Sequence, residues 1–231
     1  MKVLKIKIFQ ETACYRKPFA FKVTETFPLP PYSTIKGMLH YVLSAKEYIP
    51  MAISVQGDYE SIINSYNNTY FYKSDEITTM PMNVHMLFNV KLIIHVKTEE
   101  SIMEKLFQKL NKPFEHLSLG RREDLARIDY VKVVKLKEIT LMDIEDKEDE
   151  DENILPYVET KYPIYIPKNK LDKNLQLPGI NYRLNFKYKI RNSLREWEKT
   201  DVLYVDKGIM ITKGKVWMDE EEDLVFLNID L

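Results

Sequence analysis

The first 43 residues combine three features that limit the possible folds: an alternating strand, a proline-rich turn and an amphipathic helix. The strand has apolar residues at every second position, as expected for a strand with one buried face; they are Leu4, Ile6 and Ile8. Three prolines between Phe27 and Thr34 fix the backbone and exclude a helix until Ser33 or Thr34 can cap one. An apolar helical stripe follows, with the members Ile35, Met38, Leu39, Val42 and Leu43. The segment therefore predicts a helix packed on a sheet.

Similar patterns continue to residue 136 and predict a complete order of elements. The predicted strands lie at 2–9, about 51–56, 87–97 and 128–136, and the predicted helices lie at 34–46 and 99–110. This order matches the ferredoxin-like (RRM-like) βαββαβ plan of the α+β class. We therefore expect one such domain over residues 1–140.

A dense acidic run at 143–152 separates this region from the rest of the chain. Like charges at this density cannot pack, so we place an acidic linker at 141–152 and a small, β-rich antiparallel domain at 153–231. The cleanest alternation lies in that second part, at Tyr182–Arg191, where one face is apolar and the other is basic. A basic strand face suits RNA or a partner subunit, but edge strands also use lysine to prevent aggregation.

An insertion of about 66–86 lies between the second and third predicted strands. It is too long for a tight hairpin and is rich in tyrosine and methionine. Long insertions in compact domains are usually functional or mobile. The alternative is a loop that folds back on its own core.

Composition limits the environment and the chemistry of the protein. The single cysteine, Cys14, excludes an internal disulfide and leaves no cysteine-rich metal site, so we expect a cytoplasmic protein with no metal and no cofactor. No apolar run approaches membrane-spanning length, so no membrane partner is expected. Acidic runs at 143–152 and 219–223 carry charges of −7 and −5, which leaves +11 on the remaining chain although the overall net charge is −1. Such a remainder is basic enough to attract a polyanion, whereas clustered acids are typical of solvated loops.

Two basic clusters are candidate RNA-binding sites. The first mixes cations with flat rings, which can hold phosphates and stack bases; its candidate residues are Tyr15, Arg16, Lys17 and Lys22, with Lys36 on the following helix. An ordinary amphipathic hairpin is the alternative.

The second cluster is the loop Gly120, Arg121 and Arg122, where the chain concentrates its arginines: with Arg127 it holds three of the seven. Guanidinium groups bind phosphate oxygens with two donors, and a glycine lets backbone amides approach an anion. The alternative is an internal network in which Glu123 or Asp124 orients an arginine.

Two segments resemble a known family when they occur in this order. They are YRKPFAFKVTETFPLPPYSTIKGMLHYVL and, far downstream, SLGRREDLARID (Ser118 to Asp129). Together they are similar to the fifth family of CRISPR-associated (Cas) proteins in the RAMP superfamily, especially to members from type I-B systems.

The resemblance implies a non-catalytic subunit of Cascade, the RNA-guided surveillance complex of antiviral defence. Such a subunit would cap the repeat-derived 5′ handle of the CRISPR RNA and contact the large subunit and the repeating backbone subunit. The insertion at about 66–86 would then be a thumb that packs on the backbone subunit.

Two alternatives remain open from the sequence. A metal-independent endoribonuclease that processes repeat RNA would need an acid and a base, and His116 or His40 are the candidates. The Tyr-Lys-His set of the type I-C branch cannot be placed completely on this chain. An RRM-like RNA binder unrelated to CRISPR is less favoured, because the third strand lacks the aromatic residues of an RRM sheet.

Overall fold

The computed structural model describes residues 1–18, 23–142, 153–172 and 175–229. Its two α-helices are α1 (Tyr32–Leu43) and α2 (Glu100–Asn111), and a 3₁₀ turn lies at Lys168–Lys170. The strands in the first 141 residues are β1 (Lys2–Ala13), β2 (Val23–Thr24), β3 (Ala52–Asp58), β4 (Ser61–Tyr72), β5 (Ile77–Lys97), β6 (Leu117–Ser118), β7 (Leu125–Lys135) and β8 (Lys137–Leu141). The later strands are β9 (Ile154–Leu155), β10 (Val158–Glu159), β11 (Ile164–Pro167), β12 (Ile180–Arg191), β13 (Leu194–Val205), β14 (Met210–Ile211), β15 (Gly214–Met218) and β16 (Leu224–Val225).

Four antiparallel strands form the centre of the main sheet, in the order β7, β1, β5, β3. One helix follows β1 and precedes β3, and the other connects β5 to β7. The four strands and two helices predicted for the first 136 residues are all present, and the mixed α and β class dominated by antiparallel sheet is confirmed.

The two faces of this sheet have different coverings because side chains alternate along each strand. The apolar side chains of β1 form one core with the apolar stripes of both helices. On the opposite face lies Lys5, which is 0% exposed. Both helices therefore cover one face of the sheet, and in the first turns of α1 Ser33 and Thr34 are partly exposed and Gly37 is exposed.

The predicted insertion forms a long hairpin of β4 and the first half of β5, not a loop packed on the core. Its turn lies at Lys73–Glu76, where the Lys73 backbone N–H donates to the carbonyl of Glu76. Most of its large side chains are exposed, with Tyr72 78% accessible at the tip. At the base, β2 pairs with β5 and Met82 is buried.

Strands from the C-terminal part continue the main sheet. β11 pairs with β3 through Ile164 and Gln56, and β13 and β12 then extend the sheet to its edge. A second sheet has the order β16, β15, β8, β9. The residues after 153 are thus rich in strands, as predicted. The acidic run at 143–152 lies outside the described residues, and the division of the chain into two domains stays a prediction.

The second acidic run, at 219–223, covers the Lys5 face of the sheet. Lys5 Nζ lies 2.6 Å from both Asp219 and Asp223 and 2.9 Å from Glu221, and Asp219 also bonds the buried His95 at 2.9 Å. Asp219 and Asp223 are buried. A fully solvated loop at this run is therefore wrong, because a buried ammonium group requires these carboxylates as partners.

Candidate nucleic-acid interface

Three adjoining cavities surround the first turns of α1. All three are lined by Ser33 at the start of the helix and by Trp197 on β13. We name them after one further lining residue each: the Arg16 cavity (about 400 Å³), the Arg122 cavity (about 740 Å³) and the Lys36 cavity (about 370 Å³). Together they form the α1 groove.

The groove collects predicted residues from distant parts of the chain. Arg16 and Lys17 line one cavity, Gly120 and Arg122 line the second, and Lys36 lines the third. The proline turn determines where α1 begins, because a helix cannot extend back through these prolines. The helix starts directly after Pro31, and residues of its first turns line the groove. Five of the eight predicted residues thus meet around one helix.

The Arg16 cavity joins the first basic cluster to the basic strand β12. Arg16 is exposed, and Lys17 forms an ion pair of 3.1 Å with Glu25. Arg183 and Asn185 of β12 line the opposite wall. Lys22 falls outside the described residues.

Tyr15 does not belong to this surface. Its side chain is 1% exposed, its hydroxyl donates to Gln10 Oε1 at 2.6 Å, and burial raises its pKa far above the ordinary value. The ring has no face on which a base can stack, which corrects the placement of Tyr15 in the basic cluster. Its role is in the apolar core.

The arginine loop contains one structural and one accessible arginine. Arg121 Nη2 donates to Asp124 Oδ1 at 2.7 Å, and its Nε donates to Oδ2 of the same carboxylate at 3.1 Å. Asp124 is buried and also accepts the backbone N–H of Cys14 at 2.9 Å. Arg121 therefore holds the loop on the end of β1, as in the alternative of an internal network, and phosphate binding by Arg121 stays a prediction.

Arg122 points in a different direction. It is exposed, lines the Arg122 cavity and makes no ion pair within the described part of the chain. Gly120, two residues before it, has φ +115°, and a Cβ there would lie 2.8 Å from Asp124 Oδ2. The glycine is thus required by the turn that precedes the two arginines, and Arg122 is the loop residue available to an anion.

Lys36 is buried at the wall of its cavity with only 4% exposure. Its Nζ donates to the Tyr48 hydroxyl at 3.0 Å and lies 3.5 Å from the centroid of the Phe186 ring. Burial, together with the positive charge of Lys187, lowers the pKa of Lys36 to about 7. No carboxylate within the described residues lies within ion-pair distance of this ammonium group.

The two histidine candidates differ in exposure and in the hydrogen bonds of their rings. His40 Nε2 accepts the backbone N–H of Ile49 at 2.9 Å, and its Nδ1 lies 2.8 Å from the Lys36 carbonyl, so both nitrogens are engaged by backbone. His116 is exposed and lines the Arg122 cavity together with Tyr41, whose hydroxyl donates to Glu115.

The sequence analysis missed Trp197, the residue shared by all three cavities. It is one of two tryptophans in the chain and lies on a strand paired with the basic strand β12. A rare tryptophan close to a basic strand was therefore the clue in the sequence. The strand pairing that brings β13 close to α1 could not be predicted from periodicity.

Comparisons with known proteins identify CRISPR-associated proteins as the similar group. The family model described as CRISPR-associated protein (Cas_Cas5) matches residues 3–196. No curated protein matches the chain.

Many solved structures are similar to the chain, among them the following two. A chain titled "CRISPR RNA-guided surveillance complex" is 13% identical, with a TM-score of 0.58 over 91% of this chain and 92% of that one. A "CRISPR protein from Archaeoglobus fulgidus" is 11% identical, with a TM-score of 0.51 over the whole of both chains.

Proposed function

Because the chain belongs to the CRISPR-associated protein (Cas_Cas5) family, we propose that it is a non-catalytic, CRISPR RNA-binding subunit of a type I Cascade surveillance complex. Its task would be to cap the repeat-derived 5′ handle in antiviral defence in the cytoplasm, in a type I-B-like system. The observation that carries the proposal is the α1 groove, where separate segments bring their cations around one helix.

The groove suits a single RNA strand bent around a helix start. Arg16, Lys17 and Arg183 supply charge at one end, and Arg122 supplies it at the other. Trp197 lies between them as a ring on which a base can stack. Charged forks for phosphate and a flat ring for a base are the combination that single-stranded RNA requires.

The fold supports the finer part of the proposal. The order β7, β1, β5, β3 with its two connecting helices is the order of a ferredoxin-like βαββαβ domain, which is the description that we propose. The β4–β5 hairpin is the proposed thumb. Its exposed tyrosines would pack on the repeating backbone subunit, and the large subunit would contact another face of the chain.

The test is to co-express the tagged chain with its neighbouring Cascade genes and a CRISPR array, and to sequence the RNA that co-purifies. We expect handle-containing CRISPR RNA with the wild type and less RNA with Arg122→Gln. Complexes assembled without any CRISPR RNA would overturn the proposal.

A repeat-cleaving endoribonuclease is the second candidate. The observation in its favour is that His116 and Tyr41, two groups able to transfer protons, line the same cavity as Arg122. The same co-expression without the dedicated processing nuclease distinguishes the two functions. Array RNA that stays uncut supports the binding subunit, whereas RNA cut within the repeat in the wild type but not in His116→Ala supports the nuclease.

A further inference from the structure

The Lys36 cavity has a composition that the fold alone does not require. Four aromatic side chains line it, from the loop after α1 and from the β12–β13 hairpin; they are Tyr48, Phe186, Tyr188 and Trp197. Three lysines, Lys36, Lys46 and Lys187, also line it. Rings and ammonium groups together recognise a base and its phosphate, in contrast to a purely apolar cavity that would take a hydrophobic side chain.

The rings are arranged to leave the cavity open. Tyr188 and Trp197 are paired across the two strands and meet edge to face at 5.2 Å between centroids. Tyr48 and Tyr188 are each nearly half exposed. Trp197 also lines the other two cavities, so the Lys36 cavity directly adjoins the rest of the α1 groove.

Lys36 is the second, independent observation that points to a ligand. A buried ammonium group is costly unless a charge of opposite sign compensates it. Here burial and the like charge of Lys187 both disfavour the charged form of Lys36, and the Phe186 ring supplies only a cation–π contact at 3.5 Å. Glu47 lines the cavity, and Glu198 is paired with Lys187 at 3.1 Å, but neither forms an ion pair with Lys36. A bound anion would supply the missing charge.

We propose that the Lys36 cavity holds one unstacked nucleotide of the bound single-stranded RNA, with its base against the tyrosine and tryptophan rings and its phosphate beside Lys36 and Lys187. This inference rests on the proposed function, since it names a subsite within the RNA-binding groove. The volume of about 370 Å³ lies at the small end of ligand pockets, which suits one nucleotide and excludes a duplex.

The test combines an abasic scan of the RNA with a protein variant. Short single-stranded handle RNAs, each lacking one base, are bound to the full-length wild type and to the variant Tyr48→Ser/Tyr188→Ser. Both tyrosines are partly exposed, so the fold should tolerate the change. A variant at another half-exposed tyrosine outside the groove, Tyr157→Ser, is the matched control.

We expect one position at which base removal weakens wild-type binding about tenfold, as loss of one stacked base would. At that position the abasic change should have little further effect in the double variant, while Tyr157→Ser should behave like the wild type. If intact RNA binds but no position depends on the two tyrosines, the nucleotide subsite is overturned and the proposed function stands. If the wild type binds none of these RNAs, the proposed function itself fails.

Discussion

The guanidinium group of Arg121 is bound by the buried carboxylate of Asp124, at 2.7 Å from Nη2 to Oδ1. The neighbouring Arg122 is exposed in the groove. Two adjacent and chemically identical residues thus have different tasks, and the tasks can be separated by mutation.

Arg121→Ala should destabilise the fold by about 3 kcal/mol, because it leaves the buried Asp124 carboxylate without its cation. Arg122→Gln should leave the melting temperature unchanged and weaken RNA binding several-fold. Thermal unfolding and RNA affinity, measured on both variants, check the separation. Equal losses of stability in the two variants would contradict it.

Gly120→Ala should lower stability by about 1–3 kcal/mol, since the new Cβ meets Asp124 in a left-handed backbone conformation. The control is Gly37→Ala in α1, where no atom lies within 4 Å of an added Cβ. That change should stabilise the helix by about 0.5–1 kcal/mol. Denaturant unfolding of both variants measures the difference, and a neutral Gly120→Ala would show that the turn can relax.

Lys36→Met should make the protein more stable at neutral pH while weakening RNA binding. The pKa of Lys36 is lowered from 10.5 to about 7 by burial and by Lys187. Between these two values the unfolded chain binds the extra proton, so wild-type stability rises with pH from about 7 to 10.5. The stability advantage of Lys36→Met should therefore be largest at or below pH 7 and shrink toward pH 10. Unfolding curves at pH 6, 8 and 10 provide the measurement, and an advantage that grows with pH would refute this account of Lys36.

Lys5→Met should cost about 3–5 kcal/mol, because three carboxylates would share a buried site without their cation. The matched control is Lys7→Met, which removes a partly exposed ion pair with Glu221 and should cost less than about 1 kcal/mol. Comparable losses in the two variants would contradict the assigned roles.

Acid should reduce the difference between Lys5→Met and the wild type. Hydrogen bonds from Lys7 and Lys5 lower the pKa of Glu221 to about 2, and those from His95 and Lys5 lower the pKa of Asp219 despite its burial. Acids with lowered pKa values stabilise the fold above their unfolded pKa and lose this contribution as the pH falls toward the folded value. Between about pH 4.5 and 2 the wild type should therefore lose more stability than Lys5→Met, which unfolding measurements across this range can test.

The local sequence pattern was sufficient to predict individual strands and helices, but it did not predict which elements pack against each other. The alternation of Leu4, Ile6 and Ile8 and the stripe from Ile35 to Leu43 predicted β1 and α1, because both report burial on one face. Tyr15 was wrongly assigned to the surface because tyrosine occurs both in cores and on surfaces. Its hydrogen bond to Gln10 places it in the core.

Long-range contacts account for the rest of the candidate site. Trp197 reaches α1 only because β13 joins β11 and β11 joins β3, which places residues more than 150 positions apart side by side. Similarly, the acidic residues 219–223 look like a solvated run until Lys5 is known to lie beneath them.

The acidic run makes the Lys5 face electrostatically different from the α1 groove. Lys132 and Lys161 on or beside that face are paired with Glu220 and Glu222, so the chain supplies its own counterions there. A polyanion approaching from this side would have to displace carboxylates that are already bonded, whereas the α1 groove also offers Arg122, which makes no ion pair within the described residues. Under the proposed function, these paired carboxylates would turn the α1 groove, and not the Lys5 face, toward the RNA.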